Sequence, residues 1–178
     1  IDAEESYMRN GSKLRSYVLD VITKFAMKKA MAIFYVSKEM KKFEEGKFDI
    51  STDRKCFIMP CFNVSRTETL QVNERKYEKN IFTYVGSLSE WQCFEETLDF
   101  YKKIEAIDPH TELKIFTFAE EEARRIVETK NIKNCTVASV APEMMSEALA
   151  DVKFGFVLRN DVPVNRVATP TKLSSYLS

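Results

Sequence analysis

Residues 159–178 read RNDVPVNRVATPTKLSSYLS, and they follow an apolar run, residues 154–158, that predicts a buried strand. The loop after this strand carries Arg159 and Arg166. Thr169-Pro170 is typical of a helix start, because threonine caps helices and the fixed φ of proline suits the first helical position. The stretch therefore predicts a strand, a loop with two arginines and a helix N-terminus that attracts phosphate. A surface loop with two solvated arginines is the alternative interpretation.

The composition indicates a globular protein of one domain or slightly more. The chain has 178 residues, of which 44% are hydrophobic and 30% are charged, and its net charge is zero. Because a neutral chain lacks the basic surface of nucleic-acid-binding proteins, we expect no nucleic-acid partner. No apolar run is long enough to span a bilayer, and no signal-peptide pattern is found, so the expected location is the cytoplasm.

The metal-binding residue types are scarce and badly spaced. Cys56, Cys61, Cys93 and Cys135 contain no C-x-x-C pair, and His110 is the single histidine, in an Asp-Pro-His turn. These features argue against a zinc site, and they predict reduced cysteines. We expect no metal and no other cofactor, and no nucleophile–base pair is apparent.

The first third of the chain carries short apolar segments between polar ones. Residues 1–30 predict one amphipathic helix that needs a surface to pack on. Residues 32–36 and 56–60 predict two short strands, and Ser37 caps a helix between them that Gly46 ends. We expect the first helix to cover these two strands or to pack against a second copy of the chain. The apolar face of that helix consists of Leu14, Tyr17, Val18, Val21, Ile22 and Phe25.

From residue 80 onward, strands alternate with helices four times. The predicted strands are residues 81–85, 113–116, 135–138 and 154–158, and Ser-x-x-Gln at residues 89–92 and Thr-x-x-Glu at 117–120 resemble capping boxes. This alternation is typical of an α/β protein with a Rossmann-like parallel sheet that has helices on both faces.

The order of the strands decides where a ligand binds. In the common doubly wound order the first and fourth strands are neighbours, and ligands bind in the crevice between their carboxyl ends. The loops at residues 86–91 and 159–170 would then bring two helix N-termini and two arginines to one crevice. We therefore predict an anion-binding site there.

Several segments resemble GT-B-fold glycosyltransferases of bacterial polysaccharide and capsule synthesis. Residues 81–95, IFTYVGSLSEWQCFE, resemble the strand, glycine loop and helix that open the C-terminal lobe. Residues 150–159 followed by 165–173 are similar to the sugar-nucleotide site, and 32–37 with 56–63 are similar to the closing strands of the N-terminal lobe. Pairing YVGSLSEWQ with NRVATPTKLSSYL is more specific than either half alone.

This resemblance implies a domain organisation and a set of donor-binding residues. Residues 1–79 would be a remnant of the N-terminal acceptor lobe with a linker at 61–79, and 80–178 an incomplete sugar-nucleotide lobe. Gly86 and Ser87 would allow close backbone approach of the donor. Arg159, Arg166 and Lys172 would bind phosphate, with supporting hydrogen bonds from Asn165 and Thr171. Trp91 and Gln92 would line the base or sugar pocket. For Gln92 the alternative role is helix capping, and for Trp91 it is core packing.

The chain departs from this family at two places. Many relatives have arginine after the strand glycine and lysine a few places on, where Ser87 and Gln92-Cys93 stand here. Relatives also tend to have glutamate at the position of Ser175, where that carboxylate binds the ribose hydroxyls. Serine makes a weaker contact than glutamate, so this departure predicts weaker binding of the ribose.

Two functions follow from the resemblance. The first is a glycosyltransferase that transfers a sugar from a nucleotide-diphosphate donor to a carbohydrate or lipid-linked acceptor; its catalytic residues stay unassigned. The resemblance allows a homodimer and peripheral membrane association of the full-length enzyme, and predicts a fragment that binds without turnover. The second is a degenerate, non-catalytic lobe that serves as a protein-interaction scaffold. A dinucleotide or ATP site is disfavoured because G-x-G-x-x-G and Walker sequences are missing.

Overall fold

The computed structural model describes residues 1–62 and 78–177. The chain divides into two compact units, the first made of Ile1–Cys61 with Asp161–Pro170 and the second of Phe62–Asn160 with Thr171–Ser178. The sequence prediction placed all residues after 80 in one lobe, whereas Asp161–Pro170 belongs to the first unit. Most of the predicted linker at 61–79 lies outside the described residues.

The described elements alternate between helix and strand. In chain order they are α1 (Asp2–Asn10), α2 (Lys13–Lys29), β1 (Ile33–Tyr35), α3 (Lys38–Phe48), β2 (Cys56–Ile58), β3 (Ile81–Val85), α4 (Phe94–Ile107), β4 (Glu112–Phe116), α5 (Glu120–Thr129), β5 (Cys135–Ala138), α6 (Met145–Ala148), β6 (Phe154–Gly155), α7 (Pro163–Val167) and α8 (Thr171–Leu177). No helix within residues 1–62 and 78–177 is both long enough and apolar enough to cross a bilayer.

The second unit is built on a four-stranded parallel sheet. Its strand order is β5-β4-β3-β6, so β3 lies beside β6, with Thr83 opposite Gly155. The predicted parallel sheet and the predicted adjacency of its first and fourth strands are confirmed. The sheet therefore has the strand reversal at which doubly wound folds bind ligands.

The core of the second unit lies around the central strands β3 and β4. Each fully buried apolar side chain contributes roughly 1.5–3 kcal/mol relative to an exposed one. β4 supplies Leu113 and Ile115 to this core, and from α4 the Phe94 ring lies tilted against the Tyr84 ring, with the ring centres 4.9 Å apart. The buried cluster consists of Tyr84, Phe94, Leu98, Tyr101, Leu113, Ile115, Ala123, Val127, Ile132 and Val137.

The strand predicted at residues 154–158 is shorter and more exposed than its composition indicates. Only Phe154–Gly155 forms the strand, and Phe154, Val157 and Leu158 are 41–43% exposed. β6 is the last strand of the described sheet, so it has one neighbour rather than two. An apolar run predicts burial only when both faces of the strand are covered.

Neither predicted capping box forms in the second unit. Residues Glu90–Gln92 are a 3₁₀ turn in which no side chain caps, and α4 begins after Cys93, whose φ is 51°. At α5 the Glu120 carboxylate accepts from the Ser139 amide at 2.9 Å instead of reaching back to Thr117. Partners distant in the sequence therefore replace the local contacts that define a capping box.

The first unit contains a small parallel sheet and three longer helices. β1 pairs with β2 in parallel, and Ser37 caps α3 by accepting from the Met40 amide at 2.9 Å, as predicted. Gly46 does not end α3, which continues to Phe48 and ends at the left-handed Asp49, φ 53°. The helix predicted over residues 1–30 is interrupted at Gly11, whose φ of 64° ends α1 in the left-handed conformation.

The apolar face predicted on the first helix lies on α2, and it is exposed. Its six residues, named above, are 47–75% exposed. The prediction that this face is buried against the strands at 32–36 and 56–60 is therefore wrong. The spacing identified an amphipathic helix correctly, but the described residues of the first unit provide no surface that covers it. Packing against a second copy stays a prediction.

Candidate functional site

A buried lysine lies at the carboxyl end of β3. Lys172, on the first turn of α8, is 8% exposed. Its Nζ lies 4.1 Å from the centre of the Tyr84 ring, a cation–π contact. Among the described residues this Nζ has no hydrogen-bond partner. A buried ammonium without a partner is unfavourable, so its position calls for an anion.

Gly86 makes room for this lysine. Its φ of +143° is one that side-chain-bearing residues rarely adopt, and its N–H donates to the Phe116 carbonyl at 2.9 Å. A Cβ added there would lie 2.9 Å from Lys172 Cε. The backbone conformation therefore requires glycine at the end of β3, and a side chain there would displace the end of Lys172.

Tyr176 fixes α8 against the sheet where β3 and β6 part. Its hydroxyl accepts from the Val85 amide at 3.2 Å and donates to the Phe156 carbonyl at 3.2 Å. A Cβ at Gly155 would come within 2.5 Å of the Tyr176 ring, so the glycine in β6 makes space for it. Because Tyr176 lies one helical turn after Lys172, this anchor positions the lysine.

A second cation adjoins Lys172. Arg159 follows β6, is partly buried, and its Nε is buried without a partner among the described residues. Burial lowers the pKa of Arg159, while the nearby Cys93 and Tyr84 side chains act in the opposite direction. Burial, and then the charge of Arg159, lower the pKa of Lys172 to about 8. Two positive charges are thus held together without a compensating carboxylate in the described part of the chain.

The turn before α4 is tied to the segment after β6. Cys93 Sγ donates to Asn160 Oδ1 at 3.1 Å, and the Asn160 amide donates to the Trp91 carbonyl at 3.3 Å. Burial raises the pKa of the Cys93 thiol, so it is a neutral donor. Trp91 is buried, which agrees with its packing alternative. Gln92 Oε1 is buried and lacks a partner among the residues the structure describes.

An apolar cavity of about 250 Å³ opens at the carboxyl ends of β3, β4 and β5. It shares Gly86 with the lysine site, and Phe118, at its edge, is 86% exposed. Three hydroxyl groups, from serine and threonine, are its polar elements. The lining residues are Val85, Gly86, Ser87, Phe116, Thr117, Phe118, Ser139, Val140 and Met145.

The structure brings together only part of the predicted donor-binding set. Gly86, Arg159 and Lys172 meet in the second unit, while Ser87 and Thr171 are exposed nearby in the chain. Asn165 and Arg166 lie on α7 in the first unit. All nine assignments to a donor stay predictions.

Arg166 already has an anionic partner. Its guanidinium makes two hydrogen bonds to the Asp161 carboxylate, at 2.5 and 2.8 Å, and both side chains are exposed. This pair raises the pKa of Arg166 and lowers that of Asp161. An exposed ion pair contributes little to stability, so the position of the Arg166 side chain is less fixed than that of the buried Lys172.

The start of the last helix differs from the prediction. α8 begins at Thr171 rather than at Pro170, and the Thr169 hydroxyl donates to the Val36 carbonyl at 2.8 Å instead of capping. The loop also contains α7, which the sequence prediction missed. Pro163 at the first helical position, with Val164 and Val167 buried three residues apart, was the available signal.

Sequence reasoning also missed Tyr84, Cys93, Asn160 and Tyr176. Their roles depend on contacts across the sheet, and the one local signal was the spacing of Tyr176 from Lys172. Within the described ranges, histidine, cysteine and acidic residues form no cluster of three or more that could hold a metal ion.

Comparison with known proteins finds similarity in the fold and none in the sequence. No protein-family model matches the chain, and no curated protein is significantly similar in sequence. The crystal structure of an S. aureus TarM mutant in complex with fondaparinux, alpha-GlcNAc-glycerol and UDP is similar, with a TM-score of 0.63 at 12% identity. The match covers 82% of this chain and 29% of that one.

A second TarM crystal structure has a TM-score of 0.61 at 12% identity, covering 79% of this chain and 27% of that one. This chain thus spans less than a third of the TarM chains that it resembles. At this identity the likeness concerns the fold alone. The expected Rossmann-like α/β fold, of the kind found in GT-B glycosyltransferases, is confirmed.

Proposed function

We propose that the second unit binds the donor of a glycosyltransferase, a sugar linked to a nucleotide diphosphate. The observation that carries this proposal is Lys172, buried beside Arg159 with no hydrogen-bond partner among the described residues. A buried charge is stable only when it is paired. A diphosphate supplies two negative charges and several acceptor oxygens, which fit two adjacent cations.

The cavity next to Gly86 suits the nucleobase. Its volume of about 250 Å³ lies below the range of whole ligand pockets, so it fits one part of a nucleotide. Apolar walls would contact the faces of a base, and the hydroxyls of Thr117 and Ser139 would meet its polar edge. Because Gly86 borders both features, a base in the cavity leaves the diphosphate near Lys172. The UDP in the TarM complex supports a uridine nucleotide as the first donor to test.

The ribose would be bound differently from the pattern of the resembling family. Ser175 is buried, and its hydroxyl donates to the Thr171 carbonyl at 3.4 Å. A serine in this position cannot supply the two acceptor oxygens of a carboxylate. We therefore expect the donor's affinity to come mainly from the diphosphate and the base.

In the transfer reaction, the sugar–phosphate bond breaks and the diphosphate leaves with the extra negative charge. Lys172 and Arg159 would stabilise that charge as it develops, which is the main service a protein can offer to such a leaving group. These two cations do not determine the acceptor, which would be a carbohydrate or a lipid-linked saccharide. They do not determine the catalytic residues either.

Calorimetric titration with a panel of UDP- and GDP-sugars tests the proposal. Wild type should bind at least one donor, and Lys172→Met should weaken binding about tenfold or more, because a charge-assisted contact contributes roughly 1.5–3 kcal/mol. Lys79→Met is the matched control, since Lys79 is an exposed lysine paired with Glu112. If wild type binds no donor, the proposal is wrong; equal binding by both variants would remove Lys172 from the site.

A non-catalytic scaffold is the second candidate function. The observation in its favour is the exposed apolar face of α2, because large exposed apolar patches mark interaction sites. A protein that binds no nucleotide and retains a partner through α2 would fit this alternative.

A further inference from the structure

We propose that Lys172 takes up a proton when the donor diphosphate binds, so that pH controls donor affinity through this one side chain. The proposal rests on the proposed donor binding. It concerns how pH regulates the site, and it is argued from the groups that surround the Lys172 Nζ.

The groups around Lys172 Nζ carry no full negative charge to pair with the ammonium. From β3 it meets the face of the Tyr84 ring, 4.1 Å away. Arg159, after β6, adds a like charge, and Cys93, at the start of α4, has a protonated thiol bonded to Asn160. No carboxylate pairs with Lys172 within residues 1–62 and 78–177, so the free site disfavours the ammonium form.

The remaining ionisable groups near the site do not compete for the proton at neutral pH. Burial raises the pKa of Tyr84 and of Tyr176, the second of which anchors α8, so both phenols stay protonated. Glu96 acts on Cys93 and raises the pKa of its thiol further. Arg159 keeps its charge, because a guanidinium remains protonated even when its pKa is lowered. Lys172 is therefore the group near the site whose protonation state changes when the donor binds.

The direction of the pH effect follows from these charges. In the free protein the pKa of Lys172 is about 8, and a bound diphosphate raises it toward the usual lysine value. Below about pH 7 the lysine is protonated in both states, so affinity is flat. Above pH 8 each donor bound takes up as much as one proton, and affinity falls by up to about tenfold per pH unit.

Calorimetry at pH 7.0 and pH 8.8, in buffers of different ionisation enthalpy, measures this uptake directly. We expect wild type to take up close to no protons at the lower pH and a large fraction of one proton at the higher pH. Lys172→Arg keeps the charge but cannot lose it, so its uptake should vanish while donor binding persists. This variant also subtracts any titration of the donor itself, and Lys79→Met, at an exposed lysine paired with Glu112, should leave the uptake unchanged.

Each outcome separates this proposal from donor binding itself. A donor that binds without proton uptake, an uptake equal in Lys172→Arg, or an uptake lost in Lys79→Met would overturn the linkage and leave the proposed function standing. If no donor binds, NMR titration of Cε-labelled lysines in the free protein still tests the site. A Lys172 that titrates at the usual lysine value there would overturn the proposal.

Discussion

The two units of this protein break opposite rules of burial. The second unit holds two cations, the buried Lys172 and the partly buried Arg159, that lack a carboxylate partner among the described residues. The first unit leaves the apolar face of α2 in contact with water. Buried charge and exposed apolar surface are the two informative departures from ordinary packing. The first points to a small anion and the second to a macromolecular surface, so the two units call for different ligands.

Glycine substitutions test how tightly each unit is packed, and they should give the largest effect. Gly155→Ala places a Cβ within 2.5 Å of the rigid Tyr176 ring, so we expect a loss of about 3 kcal/mol in the free energy of unfolding. Gly46→Ala, in the interior of α3, meets nothing within 4 Å and should stabilise the fold by roughly 0.5–1 kcal/mol. Urea denaturation measures both variants. If Gly155→Ala left the free energy of unfolding unchanged, this would contradict the close contact between Gly155 and the Tyr176 ring.

Lys172→Met separates stability from binding in the second unit. The pKa of Lys172 is lowered from 10.5 to about 8 in the folded protein, so its charge destabilises the fold below pH 8 and the penalty fades as pH rises toward 10.5. Removing the charge should therefore stabilise the protein at pH 7 by roughly 1–3 kcal/mol, with little effect near pH 10.5.

Thermal unfolding at pH 7 and at pH 10 measures this difference, and Lys79→Met again serves as the control. A variant that is less stable than wild type at pH 7 would mean that the ammonium has a partner in the folded protein. The gain in stability together with a loss of donor affinity is the signature of a site that holds charge for its ligand.

The sequence predicted the sheet better than the site, for physical reasons. Parallel strands that are buried on both faces are rich in apolar residues, so β3, β4 and β5 could be located, and their alternation with helices indicated a parallel sheet. β6 looked the same in sequence although it is an edge strand. Arg159 and Lys172 were predicted to bind phosphate by resemblance, and this role stays a prediction. Tyr84 and Tyr176, which contact and position the lysine, could not be predicted, because their contacts cross the sheet.

Local signals failed where a distant group offered a stronger partner. The Glu120 carboxylate bonds to the Ser139 amide rather than closing a capping box, and the Thr169 hydroxyl bonds to the Val36 carbonyl rather than capping α8. Sequence spacing indicates which contacts are available, and tertiary structure selects among them.

Tyr176→Phe should give an intermediate effect confined to the second unit. The change removes the hydroxyl that accepts from the Val85 amide and donates to the Phe156 carbonyl, which leaves two backbone groups without that partner. We expect a loss of roughly 1–2 kcal/mol in the free energy of unfolding. Donor affinity should fall as well, because α8 carries Lys172 one turn before the anchor.

A matched control for the tyrosine lies in the same helix. Leu177→Ala changes an exposed residue of α8 and should leave both stability and donor affinity close to those of wild type. If Tyr176→Phe behaves like Leu177→Ala, the hydroxyl bridge between Val85 and Phe156 contributes nothing to the position of the lysine.

The α2 face should give the smallest effect on stability and the clearest effect on association. Ile22 is already exposed, so Ile22→Glu should change the free energy of unfolding by no more than about 0.5 kcal/mol. If this face packs against a second copy of the chain, the buried carboxylate would disrupt that contact, because an unpaired charge is costly in an apolar interface. Light scattering across a concentration series should show a dimer for wild type and a monomer for Ile22→Glu.

Lys24→Glu on the same helix is the control, since it introduces the same carboxylate outside the apolar face and should leave the dimer intact. Wild type that stays monomeric at every concentration would eliminate self-association and leave a different macromolecule as the ligand of the first unit. Donor titration of Ile22→Glu completes the comparison of the two units. Unchanged affinity is expected if the cations of the second unit bind the donor without help from association through α2.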